Sequence, residues 1–370
     1  MITFSKNEIS KKDIKIVSQI LNSGWLTHGK YTNLFEKEFA KFTSSKYAIT
    51  VSSCTAALHL SCIALGFKKG DEIIAPAMTH TATSHAIEYV GAKVIFADID
   101  ILTGNLTLEN LKKKITNKTK GVILVHMAGI PVEIDKIINF CKKKKIRVIE
   151  DCAHAVGSYF KNKHVGNFGE TGCFSFYPTK QITTGEGGIL ITNNKKIFQE
   201  IKKLKAFGIN KDIRERKNQG EYDVKSLGFN YRMTDFQAAL GYLQLNRYKK
   251  NLMKRKLIAK RYIKNLQNFS AVKFPKFNKN NSYFIFPILC NKFRNELLNF
   301  FKKKKIGVSV HYKTELPRMT YYRKKYFFKK NSYKNAHQYA IQNISLPIYP
   351  KLSLKNVDFI CNMIINFYRK

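Results

Sequence analysis

Lys180 is the side chain of this sequence whose setting points most directly to chemistry. It stands alone in the stretch FSFYPTKQITTGEGGILITN, Phe174 to Asn193, with apolar strand-like runs on both sides and a Thr-Thr-Gly-Glu-Gly-Gly turn after it. A lysine held among core strands is partly desolvated. Its pKa falls, and the neutral amine becomes available for Schiff-base formation and proton transfer. Most lysines instead reach water with their ends, so the reading depends on companions. Two other stretches supply them. In VSSCTAALHL a strand ends at Val51 and a helix begins near Thr55, where backbone N–H groups and the Thr55 hydroxyl suit a phosphate, although Ser and Thr are also ordinary helix caps. In VIEDCAHAVG, Glu150 and Asp151 end a strand, where a carboxylate needs a cation or hydrogen-bond donors, and His154 follows three residues later.

The segments around these residues have a consistent order. Strand-like runs at 47–51, 72–77, 93–99, 121–127, 147–152, 173–179 and 187–193 alternate with helical patterns. One helix is 55–65. Another carries Ile134, Ile137, Ile138 and Cys141 on one face. Strands apolar on both faces and joined by helices predict an α/β fold with a mostly parallel sheet covered by helices. Ligands bind such sheets where strands end and helices begin. A phosphate cradle, a strand-end Asp and a buried Lys, met in that order, read as a site for pyridoxal 5′-phosphate (PLP), with one group each for phosphate, pyridine nitrogen and aldehyde. After about residue 235 the texture changes. Helical patterns at 234–247 and 251–268 precede strand-like runs at 283–290, 307–312 and 344–348, a helix running to Lys304, and a final helix. The expected division is a large PLP-binding domain, 1–250, and a small C-terminal α+β domain, 251–370. The Lys- and Tyr-rich segment 318–335 is expected to be a mobile loop.

The chain has 370 residues and a formal net charge of +41. Such a charge attracts nucleic acid, but the lysines are scattered, with short runs such as Lys142–Lys145 and Lys302–Lys305 at helix ends, and no base-reading motif accompanies them. A basic nucleic-acid-binding protein on a degenerate enzyme fold is therefore the remote alternative. The seven cysteines form no C-x-x-C pair and read as reduced, buried thiols, and no metal-ligand spacing is seen. No apolar run is long enough to span a bilayer, and the N-terminus lacks a signal-peptide core, so a cytoplasmic protein without membrane contact is expected.

Over almost its whole length the sequence resembles the nucleotide-sugar aminotransferases of the DegT/StrS type, which have the type I aspartate-aminotransferase fold. The resemblance is carried by SGWLTHGKYTNLFEKEFA, VSSCTAALHL, IIAPAMTHTATSHAI, VHMAGIPVEID, VIEDCAHAVGSYF, FSFYPTKQITTGEGG, LGFNYRMTDFQAALGYLQL and VHYK. It implies that Lys180 forms the Schiff base and shuttles the proton, and that Asp151 keeps the pyridine nitrogen protonated. It implies that Thr55 and Ala56 hold the phosphate with help from Ser175, and that His80 stacks on the ring. It places His154 beside the ring hydroxyl and Asn230 on the phosphate of a neighbouring subunit. At positions 80 and 154 histidine replaces the family's more usual residues, often an aromatic and often Gln. The relatives that dehydrate deoxysugars have His at the position of Lys180, so Lys180 implies transamination. The expected substrates are L-glutamate and a nucleotide-linked 4-keto-6-deoxy sugar aminated at C4. Trp25, Leu26 and Thr27 of GWLT, and His311, Tyr312 and Lys313 of VSVHYK, are expected to contact the sugar nucleotide, in a homodimer with shared sites. A C3-aminating enzyme, or another PLP reaction on the same scaffold, is the alternative.

Overall fold

A computed structural model describes residues 1–211, 217–218, 220–328 and 332–369. The first half alternates as the apolar periodicity predicts: α1 (Lys11–Asn22), α2 (Lys30–Thr43), β1 (Tyr47–Val51), α3 (Cys54–Ala64), β2 (Glu72–Pro76), α4 (Thr81–Tyr89), β3 (Lys93–Ala97), α5 (Leu108–Lys112), β4 (Thr119–Val125), α6 (Ile134–Lys143) and β5 (Arg147–Asp151). A short hairpin, β6 (Tyr159–Phe160) and β7 (Lys163–His164), leads to β8 (Thr171–Ser175), β9 (Gly188–Thr192) and α7 (Lys195–Leu204). Seven strands form one sheet in the order β1-β9-β8-β5-β4-β2-β3. Only β9 runs against its neighbours, β1 and β8. The strand residues are buried almost throughout, the pattern of a sheet covered on both faces.

α8 (Asp235–Leu266) corrects the expectation of two helices: it is one 32-residue helix. Gln237 accepts from the Thr234 N–H at its start, and no proline interrupts it. Gly241 lets α8 lie close to α2, because a Cβ there would come within 2.5 Å of the Phe35 ring. The expected boundary at residue 250 falls inside this helix. The remainder comprises β10 (Val272–Lys273), β11 (Phe286–Cys290), α9 (Arg294–Lys303), α10 (Thr320–Tyr326), α11 (Lys334–Gln342), β12 (Asn343–Leu346) and α12 (Leu354–Tyr368). β10, β11 and β12 make a separate antiparallel sheet, over a core built from Ile288, Phe301, Ile344 and Ile360.

Two further expectations change. The run 307–312 is not a strand and pairs only through a Ser309–Ser345 bridge. Part of the expected loop 318–335 is helical: α10 lies on α4, where the Glu88 carboxylate accepts from both Lys325 and Tyr326, and Tyr322 packs into the large core. Residues 329–331 of that segment lie outside the described residues. The lysine runs sit at the ends of α6 and α9 and are exposed, as the macrodipole favours. All seven cysteines are free and buried. Among the described residues no helix is long and apolar enough to cross a membrane.

Candidate active site

The carboxyl ends of β1, β5 and β8 open into a cavity of about 440 Å³. Thr55, His80, Asp151, His154, Ser175, Lys180, His311 and Tyr312 all line it. The residues are drawn from across the sequence, from Thr55 to Tyr312, and the topology explains their convergence. β1 and β5 are strands 1 and 4 of the sheet order, with β9 and β8 between them, so the α3 start, the Asp151 strand end and the loop after β8 share one edge.

At the α3 start, Ser53 is the cap: its side chain accepts from the Ala56 N–H at 3.1 Å. This uses the N–H that the sequence reading assigned to the phosphate, and Ala56 itself does not line the cavity. Ser53, Cys54 and Thr55 do. Gly188 passes so close that a Cβ would meet the Ser53 and Cys54 backbone at about 2.5 Å. The turn carrying Gly185 and Gly187 is held firmly. Gln237 of α8 donates to the Glu186 carbonyl at 2.8 Å, and Gln244 donates to the Thr183 carbonyl at 2.6 Å. Despite its glycines, the turn is thus pinned by α8.

Asp151 is 5% exposed. Its Oδ2 accepts from Thr83 Oγ1 at 2.8 Å and its Oδ1 from the Ala153 N–H at 3.1 Å. Lys180 lies in the loop after β8, its N–H donating to the Tyr177 carbonyl at 2.9 Å. Burial holds its amine down to about 8, and Cys54 and Asp151 offset part of that. Its Nζ stands 4.4 Å from the centre of the Phe284 ring. Phe284 arrives from the C-terminal half and stacks on His154 at 4.4 Å. Three imidazoles surround the amine. Burial, followed by the charges of Lys180, His311 and His80, holds His154 well below its usual value. Burial and then Lys180 bring His311 to about 4 and lower His80 as well. His311 Nδ1 meets Ser345 Oγ at 2.9 Å, and His80 caps α4 by accepting from the Ala82 N–H at 3.2 Å. Burial, with Asp151 and Tyr339, pushes the Tyr312 hydroxyl far up, so it stays protonated.

Six predicted residues do not line this cavity within one chain. Ala56 is one, for the reason above. Trp25, Leu26 and Thr27 are exposed, in a loop tied to the α8 start by the Asp235 N–H on the Leu26 carbonyl at 2.7 Å; Trp25 faces a separate surface hollow with Ile16 and Gln19. Asn230 is exposed and bridges to Ala206. Lys313 is exposed, next to the inward Tyr312. Sequence reasoning missed Phe284, Tyr177 and Glu186, which line the cavity. Phe284 gave no signal, because an apolar residue in an apolar run reads as core.

His126, Glu150 and Cys152 lie within 4.8 Å of one another behind β5. Their ligand atoms are engaged. His126 Nδ1 accepts from the Val132 N–H at 3.1 Å and its Nε2 meets Glu150 at 3.0 Å, while burial keeps Cys152 a neutral thiol. This is a structural cluster. The cavity in front is different. Its helix start and close glycine fit the phosphate of PLP, its carboxylate the ring nitrogen, and its low-pKa amine the aldehyde.

The DegT/DnrJ/EryC1/StrS aminotransferase family model matches residues 7–365. The chain is 36% identical to GDP-perosamine synthase of Escherichia coli O157:H7, over 97% of this chain and 96% of that protein. Among solved structures, Spr1654 from Streptococcus pneumoniae is 30% identical. It superposes with TM-scores of 0.94 in its PMP form and 0.93 in its PLP form, over 100% of this chain and at least 98% of that one. PseC of Helicobacter pylori, an aminotransferase of pseudaminic acid biosynthesis, is 29% identical with a TM-score of 0.91, over 100% of this chain and 99% of that one. The chain belongs to the DegT/DnrJ/EryC1/StrS family and is a PLP-dependent sugar aminotransferase.

Proposed function

We propose that the enzyme moves an amino group from L-glutamate to C4 of a nucleotide-linked 4-keto-6-deoxy sugar, for a surface polysaccharide or glycan precursor. The observation that carries the catalytic assignment is the convergence of Lys180, Asp151 and the α3 start on one cavity. PLP, when bound, supplies an aldehyde and an electron-accepting ring. Lys180 would hold the aldehyde end, Asp151 would keep a proton at the ring nitrogen, and Thr55 and Ser175 would hold the phosphate. Lys180 Nζ, which titrates at about 8, would hold or move a proton at the reacting substrate carbon. The imidazoles of His80 and His154, both in the cavity lining, stay neutral because burial keeps them low, and would not compete for that proton.

The sugar assignment rests on His311 and Tyr312, which bring a donor and an aromatic surface to the cavity, and on a relative named for a nucleotide-linked amino sugar. Trp25, Leu26, Thr27, Lys313 and Asn230 stand outside the cavity of their own chain, which supports a homodimer in which such residues serve a partner's site. A cytoplasmic location is part of the same reading, because sugar nucleotides and glutamate are cytoplasmic metabolites. The test is a panel of nucleotide keto-sugars offered with L-glutamate, with NMR of the product. An amino group on C4 is expected. An amino group on C3, or no reaction with any 4-keto sugar, rejects the sugar assignment and leaves the cofactor chemistry standing.

A further inference from the structure

We infer that Phe284 is a positioning residue for Lys180: its ring face holds the free amine in place and favours its protonated form. This deepens the reading of Lys180 as the reactive amine and rests on it. The contact is short, with Nζ 4.4 Å from the ring centre. The face of a phenyl ring carries negative potential, and an ammonium there gains most when water is excluded.

The ring is itself held from several sides. Its residue is 3% exposed. The Phe284 N–H donates to the Ala128 carbonyl at 3.1 Å. Its carbonyl accepts from Nη1 of the buried Arg255 at 3.3 Å. His154 stacks on the ring with planes 25° apart, and His311 meets it edge-on at 6.0 Å. Next to Lys180 in sequence, Gln181 Nε2 donates to Ser282 Oγ at 3.0 Å and to the His154 carbonyl at 3.1 Å, so the Lys180 loop and the Phe284 segment are tied together. An amine that must be released and recaptured in every cycle needs such a resting place, since a free lysine chain has many rotamers.

The other titratable groups lining the cavity come from several elements, with Tyr177 from the Lys180 loop itself. Asp151 comes from β5, Cys54 from α3 and His80 from the α4 cap. His154 follows β5, Glu186 belongs to the glycine-rich turn, and His311 and Tyr312 come from the segment before α10. The three imidazoles are neutral at pH 7 and the buried Cys54 thiol is protonated. With those groups neutral, Asp151, Glu186 and the ring are the attractive neighbours of the ammonium, against the burial that opposes it.

The test changes the ring's electrostatics and keeps its shape. Phe284 is replaced by 4-fluoro-, 3,5-difluoro- and 3,4,5-trifluorophenylalanine, and Lys180 ionisation is followed in the cofactor-free protein. Trace acetylation against pH, read by mass spectrometry on the peptide containing Lys180, gives the value directly. The Lys180 pKa should fall stepwise with fluorination, by about half a pH unit or more at the trifluoro ring. In the PLP-loaded enzyme the acid limb of kcat should move the same way. A pKa unchanged across the series would overturn the inference and leave the ring as packing alone. The outcome does not depend on PLP, so it fails separately from the cofactor assignment, which is judged by where the cofactor attaches.

Discussion

Glu150 and Asp151 are adjacent carboxylates at the end of one strand, and they face opposite worlds. Behind β5, Glu150 is fully buried and accepts four hydrogen bonds: from His126 Nε2 at 3.0 Å and from the N–H groups of Gly166, Phe168 and Gly169 at 2.7 Å each. Burial alone would raise its carboxyl, but His126 and those N–H groups overcome it and hold the value below the usual range. A carboxylate offers about four lone-pair positions, and all are filled. In front of β5, Asp151 accepts two hydrogen bonds and lines the cavity with its remaining capacity unspent. The saturated group braces the loop 166–169 against the strand. The half-satisfied one, close to a lysine that burial depresses, is what a ligand with a cationic ring nitrogen completes. Sequence proximity therefore says little about role; the count of filled lone pairs and the side of the sheet decide it.

Mutations break this comparison in graded ways. Lys180→Ala should have the largest effect, removing turnover by at least roughly 10²–10⁴-fold in steady-state assays even where PLP still binds. Asp151→Asn should slow kcat by roughly 10²-fold or more while the unfolding midpoint stays close to that of the parent, because the amide is nearly isosteric and cannot stabilise the pyridinium charge. Glu150→Gln should do the reverse. Its amide turns a donor toward backbone N–H groups, destabilising the fold by about 3 kcal/mol in denaturant titrations, with per-molecule activity of the folded fraction retained. Equal effects of the two substitutions on both readouts would dissolve the distinction. The smallest effect is in pH. A base must be neutral, and Lys180 titrates at about 8. Below that value kcat should rise about tenfold per pH unit, and above it level off. A rise continuing to the ordinary lysine range would mean that the amine is solvated.

Much of the front of the sheet was legible in the sequence. Lys180 interrupts an apolar run, Asp151 ends one, and Ser53–Thr55 join strand to helix; each breaks a local pattern at a place where a packed core alone would not. What stayed hidden breaks no pattern. Phe284 looks like any core aromatic. The continuity of α8 past residue 250 depends on contacts with the C-terminal segment, such as Arg261 on Asp358 of α12 and Tyr262 on the Pro347 carbonyl, and lysines at 249 and 250 read equally well as a helix end. α10 was mistaken for a loop because its anchor, Glu88, lies more than 200 residues away in sequence. The positions of Trp25 and Asn230 on the surface of their own chain follow from tertiary contacts that no short motif encodes.

The most direct test of the account is to reduce the PLP-loaded enzyme with borohydride and map the modified peptide by mass spectrometry. The account predicts a single stable cofactor adduct on Lys180, the amine depressed by burial, and none on the many exposed lysines. A stoichiometric adduct on any other lysine, with Lys180 unmodified, would contradict it.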